Sequence, residues 1–227
     1  MKTGTITFHA PNNNVSFLKA YALQQVLTHE LGIENEIIDF RSEKQTNQYT
    51  TFRSVRCKND LLKNIASLPH FKKLNQRYSR FESMRDKYLE KTQCLVSEDD
   101  ALKLANQYDV VIAGSDQIWN TGAPDFSRVY FLPEVSVRKV SYAVSCGSVA
   151  NDAGLKKYQN AINAFEDVSV REVAVEKQLR TVYDDRISVV LDPTLLLKKD
   201  DYSELYSRKP LVQGNYIFYY SIYYSKD

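Results

Sequence analysis

The sequence contains few of the residues that mark metal centres, disulfide frameworks or membrane spans. Its three cysteines, Cys57, Cys94 and Cys146, lie far apart and form no CxxC pair, so neither a zinc site nor a disulfide scaffold is indicated. No stretch approaches the roughly 18 consecutive apolar residues of a membrane helix, and the N-terminus lacks the apolar segment of a secretory signal. We therefore expect reduced thiols and a cytoplasmic location, with the inner face of the membrane as an alternative.

Several common cofactor motifs are also absent. The sequence has no GxGxxG, no GxxxxGK[ST] and no HExxH, which argues against a dinucleotide cradle, a phosphate-binding P-loop and a zinc protease site. We expect neither a metal nor a cofactor. The net charge of +2 comes from 30 basic and 28 acidic residues, so no overall field indicates nucleic acid. With 43% hydrophobic and 26% charged residues, the composition is that of a globular protein.

Basic residues are concentrated in one segment of the chain. They are Arg53, Arg56, Lys58, Lys63, Lys72, Lys73, Arg77, Arg80, Arg85, Lys87 and Lys91. A solvated helical face is the simplest interpretation of this segment. Contact with an anionic polymer or lipid surface, and so peripheral association with a membrane, is the alternative.

The hydrophobic pattern predicts alternating strands and helices. Strands are predicted over residues 3–8, 36–40, 110–113, 139–145, 168–170 and 187–191, from β-branched and apolar runs. Helices are predicted over residues 17–29, with Ser16 as the cap and Gly32 as the stop, after Ser97, and over residues 154–165 and 172–180. Strand and helix units of this kind form parallel pairs joined by right-handed crossovers. The predicted fold is a doubly wound, mostly parallel, Rossmann-like α/β sheet.

The remaining segments set the domain organisation. Residues 41–95 predict a basic helical insertion with an apolar stripe. Residues 216–222 predict a buried strand, but no helix follows to cover it. We therefore expect an N-terminal domain over residues 1–210 and, over 211–227, the first strand of a truncated C-terminal domain. That strand should lie exposed or pair with another copy, so a homo-oligomer is an option.

Three loops that follow strands carry the candidate site. In α/β sheets ligands bind where strands end and loops begin, and these loops cover residues 8–14, 114–120 and 170–172. Their candidate side chains are His9, Asn13, Ser115, Asp116, Asn120, Arg171 and Glu172.

Each candidate also has a purely structural interpretation. His9 could exchange a proton near neutral pH or be a satisfied structural residue. The loop after residue 113 could be an ordinary turn packed by Trp119. Arg171 could bind an anion beside a helix N-terminus or pair with Glu172 or Asp192.

Six motifs in order then indicate a family. They are Gly4 to His9 with Leu18 to Gln24, Ile37 to Arg41, Tyr108 to Asn120, Tyr130 to Leu132 with Ser141 to Ala143, Ser169 to Glu172, and Leu191 to Leu196. Through these segments the chain resembles the polysaccharide pyruvyl transferases.

The resemblance implies an activity and two substrates. It implies transfer of the pyruvyl group of phosphoenolpyruvate to sugar hydroxyls, which forms a ketal on a cell-surface polysaccharide or on its lipid-linked precursor. Arg171 is then expected near the donor anion. From its chemistry we expect Asp116 to orient or deprotonate a sugar hydroxyl, with His9, Asn13, Ser115, Asn120 and Glu172 contributing to the cleft.

The family also implies parts that this sequence does not supply. Members resemble two-domain glycosyltransferases of the GT-B-like type, and their second domain supplies the expected proton donor. We therefore expect this chain to be inactive alone. The loop after the first strand also departs from the family, because Asn13 is followed by Asn14 and Val15 where Asn-Tyr-Gly is usual. A non-catalytic glycan-binding homologue and a nucleotide-sugar glycosyltransferase are the alternative functions.

Overall fold

The computed structural model describes residues 1–55, 57–147, 152–183, 185–206, 209–210 and 212–219. The chain separates into two compact units, Met1–Leu196 and Leu197–Asp227. The described helices and strands of the α/β fold lie in the first unit, and the second contains a short 3₁₀ helix, Lys199–Tyr202. The domain boundary expected near residue 210 stays a prediction.

The first unit is built on a six-stranded, all-parallel sheet. Its strands are β1 (Lys2–Ile6), β2 (Glu34–Ile37), β3 (Val110–Asp116), β4 (Arg138–Val144), β5 (Val168–Val170) and β6 (Ile187–Val189). Their order is β2-β1-β3-β4-β5-β6. The chain therefore moves outward in one direction from β1 to β2 and in the other direction from β3 onward. This reversal defines a switch point between β1 and β3.

Eight α-helices are described around this sheet. They are α1 (Asn14–Gln25), α2 (Glu43–Tyr49), α3 (Lys58–Ser67), α4 (Phe71–Tyr88), α5 (Glu98–Ala105), α6 (Asp152–Lys157), α7 (Gln159–Ile162) and α8 (Val173–Leu179). The cap predicted for α1 was wrong. Asn13 occupies that position, and its Oδ1 accepts a hydrogen bond of 2.9 Å from the backbone N–H of Val15. The stop is confirmed, because Gly32 has a φ of 64° just after the π-helical turn Val26–Glu30.

Both faces of the sheet are covered. Along β3, Val111 and Ala113 belong to a core cluster that also contains side chains of α5, whereas Ile112 packs with Leu23 and Leu27 on the α1 side. Successive strand residues point to opposite faces, so helices pack on both sides. The doubly wound α/β prediction is confirmed.

Two predicted elements differ from the structure. The helix expected over residues 154–165 is divided into α6 and α7 at Tyr158, whose ring stacks on Phe131 with centroids 4.5 Å apart. The strand expected over residues 216–222 is wrong for residues 216–219, although the exposure expected for this segment is confirmed there. These form no regular structure, and Ile217 is 96% exposed, because no strand among the described residues pairs with them. Residues 220–222 lie outside the described residues.

The insertion over residues 41–95 is helical, as predicted, and consists of α2, α3 and α4. The apolar stripe of α3 is exposed instead of packed, with Leu62 62% and Ile65 53% accessible. None of the helices in the described part of the chain has the length and apolar content to cross a membrane.

The chain returns from the insertion alongside β2. Residues Lys91 and Leu95 form parallel bridges with Ile37 and Phe40. The backbone N–H of Thr92 donates to the carbonyl of Ile37 at 2.9 Å. The insertion is therefore joined to the outer edge of the sheet by backbone hydrogen bonds.

Candidate functional site

Three elements converge at the switch point of the sheet. The loop after β1 ends in Asn13, which caps α1, and β3 ends in Asp116. The first turns of α1 lie beside the end of β3, because Ser16 and Lys19 both contact Asp116. In open α/β sheets this is the position where ligands bind.

Asp116 is held in one orientation by three donors. Its Oδ2 accepts from the Ser16 hydroxyl at 3.1 Å, and its Oδ1 accepts from Lys19 Nζ and from the backbone N–H of Gln117, both at 2.9 Å. Its backbone has a φ of 92°, which costs a non-glycine residue on the order of 1–3 kcal/mol and is concentrated at functional sites. With both oxygens occupied, this carboxylate is better suited to orienting a ligand than to removing a proton.

Arg171 belongs to the same cluster of charges. It follows β5, and its guanidinium donates to Glu172 Oε1 and Asp192 Oδ2, each at 2.8 Å. Lys19 Nζ lies 3.9 Å from the same oxygen of Asp192. A continuous chain of ionic contacts therefore connects Arg171 to Asp116 along the carboxyl edge of the sheet.

The ion pair between Asp192 and Arg171 is fully charged at neutral pH. Burial raises the pKa of Asp192, but hydrogen bonds from Thr194 and Arg171 and the charge of Lys19 outweigh it and lower the pKa. Burial lowers the pKa of Arg171, while Glu172 and Asp192 raise it by more. The ion pair that was an alternative for Arg171 is present, with both expected partners.

His9 does not line a cleft. Its side chain is fully buried, with Nε2 2.9 Å from Asp39 Oδ1 and Nδ1 3.3 Å from the Thr7 carbonyl oxygen. Asp39 also accepts from Arg41 at 2.6 Å and lies 3.4 Å from Lys91 Nζ. This placement corrects the expectation from position alone, because His9 turns inward to a buried carboxylate at the end of β2.

Ser115 and Trp119 are also interior. The exposed fraction of each is 0%, so the expectation that Ser115 faces a cleft was wrong, since strand alternation turns it away from Asp116. Trp119 donates from Nε1 to the Tyr130 carbonyl at 3.0 Å and stacks on Phe131. The structural interpretation of Trp119 is therefore confirmed. Among the described residues, Ser115 Oγ has no hydrogen-bond partner.

Asn120 lies half-buried in the loop after β3. It donates to Gln117 Oε1 at 3.3 Å and accepts from the backbone N–H of Gly122 at 3.1 Å. It also packs against Gly147, where a Cβ would lie 2.5 Å from Asn120 Nδ2. Asn120 therefore joins the loops after β3 and β4, and its contact with substrate stays a prediction.

Glu172 and Cys146 are neighbours at the ends of β5 and β4. Burial, with a contribution from the Glu172 carboxylate, raises the pKa of the Cys146 thiol to about 12. The thiol is therefore neutral at physiological pH. Glu172 binds Arg171 through Oε1, while its buried Oε2 has no partner in the described part of the chain.

The insertion holds the loop after β1. Arg85 of α4 is fully buried and donates to the carbonyl of Pro11 and to Asn12 Oδ1, both at 3.3 Å. Arg77 donates to the carbonyl of Asn12 at 3.0 Å. The backbone next to the switch point is thus positioned by two arginines of α4.

Sequence reasoning missed Lys19 and Ser16. Both are buried, three residues apart on a helix whose neighbouring positions Phe17 and Ala20 are also buried. Two polar side chains three apart on one face of a mostly apolar helix were the available signal. Of the predicted residues, the structure brings Asp116, Arg171 and Glu172 into one charge cluster, with Asn13 at the adjacent helix start.

The donor set of the candidate site favours an anionic ligand and hydroxyl groups. Among the described residues, no group of three or more His, Cys, Asp or Glu side chains is placed to hold a metal ion. The cluster at the switch point instead offers cations for an anionic ligand and a carboxylate for hydroxyl groups.

Comparison with known proteins identifies a family. Searches of curated proteins and of solved structures find no match. The family model described as polysaccharide pyruvyl transferase matches residues 18–227, which include most of α1, the charged residues Lys19, Asp116, Arg171 and Asp192, and the insertion. Because the match covers nearly the entire chain, this protein belongs to the polysaccharide pyruvyl transferase family.

Proposed function

We propose that the protein transfers the pyruvyl group of phosphoenolpyruvate to two hydroxyls of a sugar, forming a ketal on a polysaccharide or its precursor. The observation that carries this proposal is the charge cluster Lys19–Asp116–Asp192–Arg171 at the switch point. It combines two cations suited to a trianionic donor with a fixed carboxylate suited to a polyol.

The reaction sets definite demands on such a site. A proton adds to the methylene carbon of phosphoenolpyruvate, which becomes a methyl group, and the neighbouring carbon becomes oxocarbenium-like. Two sugar oxygens form bonds to that carbon, and its bond to the phosphate oxygen breaks. Of the two hydroxyl protons, one balances the proton added to the methylene carbon and the other leaves with inorganic phosphate. Catalysis therefore needs anion binding, hydroxyl orientation and proton transfer.

Arg171 supplies anion binding in this proposal. Its side chain is 23% exposed, and its guanidinium is held by two carboxylates. A planar guanidinium matches a carboxylate or phosphate through paired hydrogen bonds. Lys19, whose side chain is 9% exposed, adds positive charge between Asp116 and Asp192.

Asp116 orients the acceptor. Its side chain is 11% exposed, and the contacts with Ser16, Lys19 and Gln117 fix the direction of its carboxylate oxygens. A carboxylate fixed in this way accepts a hydrogen bond from a sugar hydroxyl without reorganising. This positions the hydroxyl oxygen for attack.

The proposal is tested by binding of phosphoenolpyruvate to the full 227-residue chain, measured by isothermal titration calorimetry. Arg171→Ala should weaken binding by at least about 30-fold, or ~2 kcal/mol, the value of a charge-assisted contact to an anion. The matched control is Arg138→Ala, because Arg138 is 63% exposed, pairs with Glu166 and begins β4 at the opposite edge of the sheet. It should bind like the wild type.

Three outcomes would contradict the proposal. Equal affinity in Arg171→Ala would remove Arg171 from the donor site. Tighter binding of a nucleoside diphosphate sugar than of phosphoenolpyruvate would favour a glycosyltransferase. Binding of glycans without any binding of phosphoenolpyruvate would favour a non-catalytic glycan-binding protein.

A further inference from the structure

A cavity lies between the helices of the insertion and the loop after β1. It has a volume of about 640 Å³ and is called the insertion pocket below. It is lined by Asn12, Gln48, Tyr49, Thr50, Thr51, Arg53, Lys63, Asn64, Ala66, Ser67, His70, Leu74 and Arg77. The volume lies in the range of pockets that hold small organic ligands.

The lining of the insertion pocket is basic. Arg53, Lys63, His70 and Arg77 contribute to it, and none of the described lining residues is acidic. None of these four side chains forms an ion pair with a carboxylate in the described part of the chain. Concentrated positive charge without internal counter-charge in a concave surface attracts anions.

Hydrogen bonds fix the shape of the pocket. The side chain of Asn64 on α3 accepts from the backbone N–H of Arg53 at 2.9 Å and donates to its carbonyl at 2.8 Å. Asn12 donates to the carbonyl of Tyr49 at 3.2 Å and accepts from Arg77 through its own carbonyl at 3.0 Å. The walls contributed by α2, α3, α4 and the loop after β1 are thus connected.

The insertion pocket is adjacent to the candidate active site. Asn12 lines the pocket, and the next residue, Asn13, caps α1, which carries the Ser16 and Lys19 contacts to Asp116. A second cavity of about 510 Å³ shares Arg77 and reaches Asn14 at the start of α1. It also contains Lys73 and Arg80. Positive charge therefore extends from the insertion to the switch point.

We propose that the insertion pocket binds the phosphate group of a phosphorylated saccharide, which places its sugar toward Asp116. This inference rests on the proposed function, because it takes the sugar as the acceptor. The ligand chemistry follows from the lining: guanidinium and ammonium groups bind phosphate. The volume exceeds what a phosphate alone needs and leaves room for attached sugar.

Phosphate could also come from the donor, phosphoenolpyruvate. The two sources are separated by titrating glucose 1-phosphate, pyrophosphate, phosphoenolpyruvate and glucose into the full chain by calorimetry. The wild type should bind glucose 1-phosphate and pyrophosphate far more tightly than uncharged glucose. Binding of neither phosphate compound would overturn the proposal.

The variant that tests the pocket is Arg53→Gln/Lys63→Gln. Lys63 is exposed, and the contacts of Arg53 with Asn64 use backbone atoms, so the fold should be retained, which circular dichroism checks. Binding of glucose 1-phosphate should weaken by at least about tenfold, since two charge-assisted contacts are lost. The matched control is Lys72→Gln, an exposed cation of α4 outside both cavities, which should bind like the wild type.

The pattern across variants separates this proposal from the proposed function. Arg171→Ala should leave glucose 1-phosphate binding unchanged, and Arg53→Gln/Lys63→Gln should leave phosphoenolpyruvate binding unchanged. Glucose 1-phosphate could show the expected pattern while phosphoenolpyruvate binds neither the wild type nor any variant. In that case the proposed function fails, and the assignment of the insertion pocket is supported. Equal weakening by Lys72→Gln, or loss of phosphoenolpyruvate binding in Arg53→Gln/Lys63→Gln, would overturn the assignment of the pocket.

Discussion

Asp39 is the fully buried carboxylate that contacts His9, Arg41 and Lys91. Replacement by asparagine keeps the shape of the side chain but removes the negative charge. It also turns one acceptor oxygen into an NH₂ donor that faces cationic donors. We predict that Asp39→Asn destabilises the first unit by about 3 kcal/mol, mainly because buried positive charge loses its partner.

The magnitude follows from the partners that remain. Removing one member of a buried ion pair costs about 3–5 kcal/mol. The lower end applies because Arg41 keeps Glu82, with oxygens at 2.8 and 3.0 Å, and Lys91 keeps Asp86 at 3.0 Å. His9 loses its only carboxylate partner among the described residues.

Urea unfolding at neutral pH, followed by the fluorescence of Trp119, measures this difference. In thermal unfolding of a chain of this size, the same loss of about 3 kcal/mol corresponds to a fall in Tm of roughly 6–12 °C. The matched control is Asp86→Asn, whose side chain is 62% exposed and which should cost at most about 1 kcal/mol. Equal urea midpoints for Asp39→Asn and Asp86→Asn would refute the reasoning.

The effect should also depend on pH in one direction. Burial raises the pKa of Asp39, but hydrogen bonds and charges from His9 and Arg41 lower it by more, so it lies below its ordinary range. The stabilisation is therefore fully present above the unfolded pKa of about 3.9 and is lost as the pH falls from there toward the folded pKa. The difference between wild type and Asp39→Asn should shrink below about pH 4, and a constant difference down to about pH 3 would contradict this assignment.

Two further predictions concern the carboxyl ends of β3 and β4. Gly114→Ala should destabilise the protein by more than about 2 kcal/mol, because Gly114 has a φ of 132° and an added Cβ would overlap the Tyr142 carbonyl oxygen. Gly122→Ala, where a Cβ meets only ordinary contact, is the control, and equal urea midpoints would contradict this. Cys146, 1% exposed with a pKa raised to about 12 by burial and by Glu172, should react with iodoacetamide at least about 100-fold more slowly than the two exposed cysteines. Mass spectrometry measures the rates, and similar rates would exclude the buried neutral thiol.

The sequence was sufficient to predict the sheet because its signals are local. The run Val110 to Ala113 is apolar on both faces, as expected of a central parallel strand, and Ser97 caps α5 by accepting from the backbone N–H of Asp100. The motif positions also placed Asp116 and Arg171 at strand ends. Each of these predictions depends on residues only a few positions apart.

The errors arose where partners are distant in the chain. His9 and Asp39 are 30 residues apart, and although the first two strands were expected to pair, no local pattern specifies that the His9 side chain turns toward Asp39. Lys19 and Asp116 are 97 residues apart, so Lys19 could be recognised only as an unexplained charge on a buried helix. The error at Ser115 concerned the direction of its side chain at the end of a strand, because strand alternation turns it away from the site.

The backbone contacts between the end of the insertion and β2 have a consequence for the solubility of the protein. β2 is the last strand on its side of the sheet, and an uncovered edge of this kind pairs readily with other chains. Lys91 and Leu95 occupy part of that edge through their bridges to Ile37 and Phe40. Residues 41–95 therefore act as a shield against edge-to-edge aggregation, and shortening the protein by deleting them would uncover an unpaired strand.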